Sequence, residues 1–430
     1  MTNIAPGSCA DHCLFLKSDG SLWGMGLNSY GQLGDGTPSD GSNRPEQIVP
    51  SGVMAAAVGG YFSLFLKSDG SLWAMGDNSC GQLGDGLGNH YYSSQPEQIV
   101  ASGVTAIAAG GYHSLFLKSN GSLWAMGLNS SGQLGDSNSV SSINQPEQIV
   151  ASGVTAIAAG NGHSLFLKSD GSLWAMGANG SGQLGDSTFN DTNQPEQIVA
   201  SGVTAIAAGN GYSLFLKSDG SLWAMGDNSY GQLGDGTGIN NTNQPEQIVA
   251  SGVTAIAAGG FHSMFLKSDG SLWAMGYNDY GQLGDGTPSD GINRPEQIVA
   301  GGVTSIAAGW DHTLLLKSDG SLWAMGGNYV GQLGDGFSDY EFAYPEQILP
   351  APPTVLTIAL AGQTNLQLNA TCGVGGNFNL LGSSDITLPL NKWMPVATNS
   401  VTTRGTNNFS VILNNAVNPS GQQFYILQSQ

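Results

Sequence analysis

Basic residues are scarce in this sequence of 430 residues, which has 11 Lys and Arg against 31 Asp and Glu and a net charge of −20 at pH 7. Nucleic-acid binding requires clusters of Lys and Arg that contact phosphates, so this balance argues against nucleic acid as a direct partner. Charged residues make up only 10% of the chain, whereas Gly occupies 66 positions. This composition fits a turn-rich β protein and disfavours long helices.

Cysteines and long apolar runs are also scarce. The four cysteines show no C-x-x-C motif and no disulfide framework spacing, so they neither require nor exclude an oxidising compartment; they are Cys9, Cys13, Cys80 and Cys372. No apolar run of about 18 residues is present, so we expect no membrane span. The first residues lack the basic and apolar segments that are typical of a signal peptide.

A repeat of roughly 50 residues accounts for most of the chain. Trp recurs in S-L-W-[AG]-M-G segments at Trp23, Trp73, Trp124, Trp174, Trp223, Trp273 and Trp323. Four short strands are predicted in each unit, typically V-T-A-I-A-A, S-L-F-L-K, S-L-W-A-M and P-E-Q-I-V. Asp-Gly between the second and third apolar runs is a strong hairpin signal. Four-stranded units of this length are typical of propeller blades.

The repeated elements G-x-x-H-S-L, L-W-A-M-G and N-x-x-G-Q-L-G-D-G resemble those of the regulator of chromosome condensation repeat family. The resemblance covers all seven units and implies an all-β fold, with a seven-bladed β-propeller of four-stranded blades over residues 1–350. Some relatives are exchange factors for small GTPases and a bacterial relative inhibits β-lactamases, which implies a protein partner. We expect no exchange activity, because no blade carries an obvious insertion that could act as a wedge. We also expect the segment Pro345–Leu349 to pair beside the N-terminal blade and close the ring.

The sequence abandons the repeat after the propeller. Residues 351–353 are predicted to be a Pro-rich linker. Residues 354–430 are predicted to form a small β-sandwich-like domain, whose strands are expected at Val355–Leu360, Leu366–Leu368, Phe378–Leu381, Met394–Ala397, Phe409–Leu413 and Phe424–Leu427. The segments L-L-G-S-S, W-M-P-V-A-T-N and N-P-S-G-Q-Q-F-Y resemble C-terminal modules of secreted bacterial proteins. This resemblance implies a secreted or cell-surface location, while the chain itself shows no signal peptide.

The residues that first suggest chemistry are better explained as scaffold. One repeat position holds Phe62, Tyr212 and five histidines, and a position that accepts Phe or Tyr is a packing position; the histidines are His12, His113, His163, His262 and His312. We interpret the repeated tryptophans as buried packing between sheets. No G-x-S-x-G, H-E-x-x-H or P-loop motif is present, so we predict no catalytic residues, no metal and no cofactor. Calcium binding by acidic loops such as residues 35–41 stays open, although the alternating ligands of a calcium loop are missing.

Differences between the seven copies are confined to two segments of each unit. One is the pair of residues before the histidine position, and the other runs from the repeated Asn region to P-E-Q-I. In an up-and-down blade the loops between strands 1 and 2 and between strands 3 and 4 emerge at the same end, so all the variation falls on one face. The residues expected to bind a partner there are Tyr30, Tyr61, Asp77, Tyr112, Asp227, Tyr230, Phe261, Tyr277, Tyr280, Trp310, Asp311 and Tyr329.

The sequence therefore predicts a non-catalytic protein-binding propeller with a diversified recognition face and an unknown protein partner. One alternative is a secreted polysaccharide-acting enzyme that uses acidic residues on the propeller face. Paired carboxylates about 5–10 Å apart in a deep pocket would favour that alternative. Another is a structural or adhesive surface module. The oligomeric state is not indicated by the sequence.

Overall fold

The structure is a computed structural model that describes residues 3–87, 91–138, 140–237, 240–338 and 341–349, together with six strands between residues 354 and 429. The regular elements in these residues are all β-strands. The described part of the chain has no helix with the length and hydropathy that a membrane span requires. Residues 3–349 form seven sheets of four strands, and each sheet keeps its strands in chain order from one edge to the other. These sheets are the seven predicted blades of a β-propeller.

The blades follow one another along the chain. Blades 1 to 4 consist of β1 (Asn3–Pro6), β2 (His12–Leu16), β3 (Leu22–Asn28), β4 (Ser39–Val49); β5 (Val53–Val58), β6 (Phe62–Lys67), β7 (Leu72–Asp77), β8 (Tyr92–Val100); β9 (Val104–Ala109), β10 (His113–Lys118), β11 (Leu123–Leu128), β12 (Ser142–Val150); and β13 (Val154–Ala159), β14 (His163–Lys168), β15 (Leu173–Gly177), β16 (Thr192–Val199). Blades 5 to 7 consist of β17 (Val203–Ala208), β18 (Tyr212–Lys217), β19 (Leu222–Gly226), β20 (Thr242–Val249); β21 (Val253–Ala258), β22 (His262–Lys267), β23 (Leu272–Asn278), β24 (Ser289–Val299); and β25 (Val303–Ala308), β26 (His312–Lys317), β27 (Leu322–Gly326), β28 (Phe342–Leu349).

The hydrophobic core lies between neighbouring blades. The second strand of a blade is buried along almost its whole length, whereas the fourth strand alternates partly buried and exposed residues, as expected of an outer edge strand. One core cluster joins Leu64 and Leu83 of blade 2 to Phe116 and Met126 of blade 3. Each blade therefore buries its apolar face against the next blade, which is why the repeat is stable only as an assembled ring.

The fixed segment S-D-G-S-L-W is explained by one hydrogen-bond relay, which blade 4 shows clearly. Asp170 Oδ1 accepts hydrogen bonds from the backbone N–H of Ser172 at 2.9 Å and from its hydroxyl at 2.6 Å. The Ser172 hydroxyl oxygen accepts a third hydrogen bond from Trp174 Nε1 at 2.9 Å. The intervening Gly171 has φ of +76°, which an L side chain adopts only with strain. These hydrogen bonds therefore join the S-D-G turn to the indole of Trp174.

The repeated tryptophans pack between blades, as predicted, but they are partly and not completely buried. The aromatic ring that is fully buried is the preceding Phe, for example Phe166. In blades 1 to 6 this Phe lies stacked on the Trp, with ring centroids 6.0–6.4 Å apart. In every blade a Lys Nζ lies 3.5–4.1 Å from the centroid of the Trp ring. In blades 1 to 6 the indole therefore interacts with both an apolar ring and a cation.

The ring closes differently from the prediction. The segment Pro345–Leu349 belongs to β28, which completes the sheet of blade 7, while blade 1 has its own inner strand β1. Blades 7 and 1 meet side to side, and the Gly336 N–H donates to the Asn43 carbonyl at 2.7 Å. The equivalent bond between blades 1 and 2 runs from Gly36 to Ser94. The prediction was wrong because P-E-Q-I is the outer strand of its own blade in the last unit, as it is in every other unit.

The remaining strands belong to the C-terminal region. They form two three-stranded antiparallel sheets, β29-β30-β33 and β32-β31-β34, from β29 (Thr354–Leu360), β30 (Leu366–Cys372), β31 (Asn377–Ser383), β32 (Met394–Ser400), β33 (Asn407–Leu413) and β34 (Phe424–Ser429). All six contain the segments predicted as strands. The linker predicted at residues 351–353 lies outside the described residues, and the sandwich arrangement stays a prediction.

Candidate functional site

Two sets of loops share one end of the propeller because each blade is an antiparallel sheet with its strands in chain order. They are the loops that join strand 1 to strand 2 and strand 3 to strand 4 of each blade. We call this end the variable face, and the end that carries the S-D-G turns the opposite face. Ring contacts between the two sets of loops, such as the one between Tyr30 and Tyr61, confirm that they lie side by side.

Each loop between strands 3 and 4 stands on a fixed base of amide hydrogen bonds. In blade 1, Asn28 Oδ1 accepts from the Leu33 N–H at 2.9 Å, and Gln32 Oε1 accepts from the Tyr30 N–H at 2.9 Å. Asn28 Nδ2 donates to Asp35 Oδ1 at 3.1 Å. The same bonds recur in blade 6 at Asn278. The repeated Asn and Gln therefore hydrogen-bond groups of their own loop, and the variable residues project from a fixed platform.

The Asp of G-Q-L-G-D serves this platform as well. Asp35 Oδ1 accepts from the Thr37 N–H at 3.0 Å, and Asp285 Oδ1 accepts from the Thr287 N–H at 2.9 Å. Its carboxylate is therefore engaged in shaping the loop. Among the residues that the structure describes, no group of three or more His, Cys, Asp or Glu side chains is arranged to hold a metal ion.

Three of the predicted aromatic residues form one continuous cluster across blades 1 to 3, which we call the first arc. The rings of Tyr30 and Tyr61 have centroids 5.4 Å apart, and those of Tyr61 and Tyr112 are 6.3 Å apart. Tyr30 is 42% exposed and Tyr61 is 36% exposed. Burial, and then the charge of Asp11, raises the pKa of the Tyr61 hydroxyl, so this tyrosine stays protonated and can donate a hydrogen bond.

The other six predicted aromatic residues form a second arc across blades 5 to 7. Its ring centroids are 4.7–5.9 Å apart along the sequence of contacts Phe261–Tyr230, Tyr230–Tyr277, Tyr277–Tyr280 and Tyr280–Tyr329, with Trp310 against Phe261 at 5.3 Å. Most of these contacts are T-shaped, a favourable arrangement of ring quadrupoles. The nine predicted aromatics thus lie in two arcs and not as isolated side chains.

Blade 4 separates the two arcs on one side. Its loops present small polar residues at the corresponding positions, and Asn161 Nδ2 donates to Asn210 Oδ1 of blade 5 at 3.0 Å. On the other side the junction of blades 7 and 1 carries Asp311 and Asp11, both partly buried. The variable face therefore has an amide segment on one side and an acidic segment on the other.

The three predicted acidic residues occupy different settings. Asp77 is only 4% exposed and accepts hydrogen bonds from Ser79 and Gln82, so its carboxylate holds the loop and little of it is available to a partner. Asp227 makes the equivalent bonds in blade 5 but is partly exposed.

Asp311 is the carboxyl group with the most perturbed acidity on this face. Burial, followed by repulsion from Asp11 and Asp279, raises the pKa of Asp311 to about 7. Burial also raises the pKa of Asp11. At neutral pH the negative charge of Asp311, which lies beside the second arc, is therefore less stable than the charge of an ordinary Asp.

Sequence reasoning missed several residues of this face. After burial, the charges of Asp11 and Asp279 raise the pKa of Asp311. Asp279 lies in the chain between Tyr277 and Tyr280 of the second arc. Five exposed aromatic residues also lie in or beside the strand 3–4 loops: Tyr91, Tyr92, Phe189, Phe337 and Tyr344. Tyr91 and Tyr92 line an open groove of about 580 Å³ that also includes Gly36 and Gln95. Variation between blades pointed to these loops, but no signal in the sequence separated projecting residues from buried ones.

The five repeated histidines do not belong to the site. Each is fully buried, and its Nε2 lies 2.8–3.0 Å from a side chain of the next blade, for example Ser164 Oγ for His113 and Cys13 Sγ for His312. Burial lowers the pKa of each imidazole, to about 3 for His113 and about 4 for His163. They stay neutral at ordinary pH and join adjacent blades, which confirms their structural interpretation.

Comparison with known proteins places these features in context. The description "RCC1-like domain" matches residues 99–403, and the regulator of chromosome condensation (RCC1) repeat matches residues 19–66, 69–117 and 55–82. Protein RCC2 of Mus musculus and of Homo sapiens is 28% identical over 137 residues, which are 31% of this chain. The match spans only 26% of the length of these relatives.

Two solved structures show the same fold. Human WBSCR16 has a TM-score of 0.70 and 24% identity, with 79% of this chain and 97% of that chain covered. Prp20p from Saccharomyces cerevisiae also has a TM-score of 0.70 and 24% identity, with 78% and 87% covered. The structure of Prp20p was described together with its binding to Gsp1p and histones.

Proposed function

Since the chain belongs to the RCC1-like domain family, we propose that it is a non-catalytic protein-binding propeller whose variable face recognises a macromolecular partner. The observation that carries this proposal is the grouping of nine aromatic side chains into two arcs on one end of the ring. Relatives of this fold that bind other proteins, as Prp20p binds Gsp1p and histones, support the class of function without naming the partner.

The physical basis of the proposal is the energy available from rigid aromatic side chains. Tyr and Trp bury large areas at a small entropic cost, and anchors of this kind each contribute about 2 kcal/mol or more to an interface. The loops beneath the arcs are fixed by the Asn, Gln and Asp hydrogen bonds, so little further ordering is needed when a partner binds. A preorganised aromatic surface of this kind suits macromolecular recognition.

The distribution of sequence variation supports the same conclusion. The seven copies keep the Lys, Ser and Asp or Asn of the opposite face almost unchanged, although several of these residues are exposed. The variable face differs from blade to blade, with tyrosines in blades 1 to 3 and small polar residues in blade 4. Diversification confined to one face is expected of a recognition surface.

An affinity-capture experiment tests the proposal. The wild-type chain should retain a partner that is lost when Tyr61, Tyr112, Phe261 and Trp310 are all replaced by Ala. The matched control replaces four exposed serines of the opposite face, one in each of four blades, by Ala: Ser68, Ser119, Ser169 and Ser218. If the aromatic variant is folded and recovers the same partners as wild type, the variable face is not the binding surface.

One observation favours the alternative of a polysaccharide-acting enzyme. The raised pKa of Asp311, about 7, is the property that a general acid needs near neutral pH, and Asp11 and Asp279 lie close enough to influence it. Hydrolysis of a polysaccharide panel by wild type, abolished in Asp311→Asn, would establish that function in place of ours. A secreted or cell-surface location remains part of the proposal and is tested by fractionating the producing cells.

A further inference from the structure

We propose that the partner of the variable face is a basic protein surface, which presents Lys or Arg side chains to the acidic end of the second arc at blades 6, 7 and 1. This inference rests on the proposed function and names the chemistry of the partner. It is carried by the segregation of charge between the two ends of the propeller and by the surroundings of Asp311.

Charge is distributed unequally between the two faces. The variable segments contain at least one acidic residue in every blade, and their basic residues are Arg44 and Arg294, which lie against Gly336 and Gly236 of neighbouring blades. The opposite face carries one Lys in every blade, each held over a Trp ring, and an Asp or Asn in each adjacent turn. Acidic residues therefore outnumber basic residues on the variable face, whereas each turn of the opposite face has a Lys beside its Asp or Asn. Such a field attracts cations and repels nucleic acid and acidic glycans.

The acidic end of the second arc brings carboxylates and aromatic rings together. Asp311 follows Trp310 directly in the chain, and the Trp310 backbone N–H donates to the Ala10 carbonyl at 3.1 Å, next to Asp11. Asp279 lies between Tyr277 and Tyr280 in the chain. Trp310 is in T-shaped contact with Phe261, and Tyr277 belongs to the same arc. Asp11 from blade 1 completes the group, since its charge and that of Asp279 both act on Asp311. Three acidic residues are thus next to aromatic residues of the second arc, either in the chain or through the backbone contact between Trp310 and Ala10.

This combination has a defined recognition chemistry. Carboxylates hold ammonium or guanidinium groups by charge-assisted hydrogen bonds, and aromatic faces attract the same cations. The repulsion among Asp11, Asp279 and Asp311 falls when a cation is placed between them, so binding relieves an unfavourable interaction of the unbound protein. The chain already shows the cation–aromatic geometry seven times on its opposite face, with Lys Nζ 3.5–4.1 Å from the Trp centroids.

A peptide-binding experiment tests the inference directly. Fluorescence anisotropy is measured with a labelled Arg-Gly repeat peptide and with Ser-Gly and Glu-Gly peptides of the same length. We expect saturable binding of the Arg-Gly peptide alone. The combined variant Asp11→Asn, Asp279→Asn and Asp311→Asn should weaken this binding about tenfold. Its folding is checked by circular dichroism, and the loss of repulsion should leave it at least as stable as wild type.

The opposite face offers a control of identical charge. At a pH well above the Asp311 pKa of about 7, the combined variant Asp170→Asn, Asp219→Asn and Asp269→Asn removes the same number of negative charges. It should fold normally because Asn120 already occupies this position in blade 3, with Oδ1 accepting from the Ser122 N–H at 3.0 Å and from its hydroxyl at 2.7 Å. We expect less than a twofold loss of affinity. Equal losses in the two variants would show attraction by net charge alone and would overturn the inference, as would absence of Arg-Gly binding to wild type.

Captured partners separate failure of this inference from failure of the proposed function. If the variant lacking Tyr61, Tyr112, Phe261 and Trp310 loses the partner but the variable-face Asp→Asn variant keeps it fully, the face binds protein and basic groups do not contribute. If neither variant loses the partner, the variable face is not the binding surface. Loss of the partner in both variants, with retention in the opposite-face control, supports the inference.

Discussion

Replacement of Ser164 by Ala should destabilise the protein clearly more than replacement of Ser114 by Ala, although both serines are fully buried at the same repeat position. Ser164 Oγ donates to the Gln133 carbonyl at 2.7 Å, so it must accept the hydrogen bond that joins it to His113 Nε2 at 2.9 Å. Ser114 Oγ donates in the same way to the Gln82 carbonyl at 2.7 Å. The residue at the histidine position of the preceding blade is then Phe62, which has no polar atom.

The difference between the two substitutions follows from the groups left unpaired. Ser164→Ala leaves both the His113 N–H and the Gln133 carbonyl without a partner, whereas Ser114→Ala leaves only the Gln82 carbonyl. Each buried polar group that loses its partner costs about 1–3 kcal/mol. We therefore expect Ser164→Ala to lower the free energy of unfolding by about 1–3 kcal/mol more than Ser114→Ala.

Urea denaturation of wild type and both variants in one buffer measures this difference. Addition of His113→Phe to Ser164→Ala should recover most of it, because blade 3 then resembles blade 2. Equal losses of stability in the two single variants, or no recovery in the double variant, would refute the assignment of His113 as a donor to Ser164.

Three further predictions follow from other residues. Burial lowers the pKa of the repeated histidines to about 3 to 4 in the folded chain, whereas a histidine of the unfolded chain binds a proton below its ordinary pKa of 6.5. The free energy of unfolding should therefore be greatest above pH 6.5 and should fall as the pH is lowered. The loss should be about 2 kcal/mol per histidine at about pH 5. Thermal unfolding followed against pH checks this, and His113→Phe with His163→Phe should flatten the profile; an unchanged slope contradicts it. Ser137 and Ser187 have φ of 65° and 72° at a position where the five other blades have Gly. Replacement of either Ser by Gly should therefore raise the free energy of unfolding, measured by urea denaturation, by about 0.5–1 kcal/mol. A loss of stability would show that no backbone strain is relieved. Asp311→Asn should raise the free energy of unfolding, because ionisation of Asp311 is unfavourable in the folded protein. The gain over wild type should grow as the pH rises from about 3.8 to about 7. A gain independent of pH would mean that ionisation of Asp311 does not cause the difference in stability.

The repeat predicted the fold because each strand type occurs seven times with the same pattern of buried positions. Strand connectivity then placed the aromatic residues on one face, and the two arcs confirm this placement. Ring closure was predicted wrongly because Pro345–Leu349 was assigned to the N-terminal blade, although it forms the fourth strand of blade 7 and Asn3–Pro6 supplies the inner strand of blade 1. The four strands predicted in each unit are the four strands of one blade, so only the partner of the last P-E-Q-I strand was assigned wrongly.

Other features of the site depend on contacts that a single sequence does not show. Asp11 and Asp311 lie at opposite ends of the propeller sequence and meet only because the ring closes. Asp77 and Asp227 occupy equivalent positions, but the structure buries the first and partly exposes the second. Each histidine is hydrogen-bonded to a side chain of the next blade, as His113 is to Ser164. The residue directly after a histidine contacts the preceding blade instead, as Ser164 contacts Gln133.

Hydrogen–deuterium exchange of the protein, alone and with its captured partner, tests the central claim most directly. Recognition through the variable face predicts slower exchange of the backbone amides in residues 59–61, 259–261 and 309–311 when the partner is bound. Exchange in the turns of the opposite face, such as residues 68–71 and 268–271, should stay unchanged. Protection confined to those turns, with the loops of the variable face unaffected, would contradict the account.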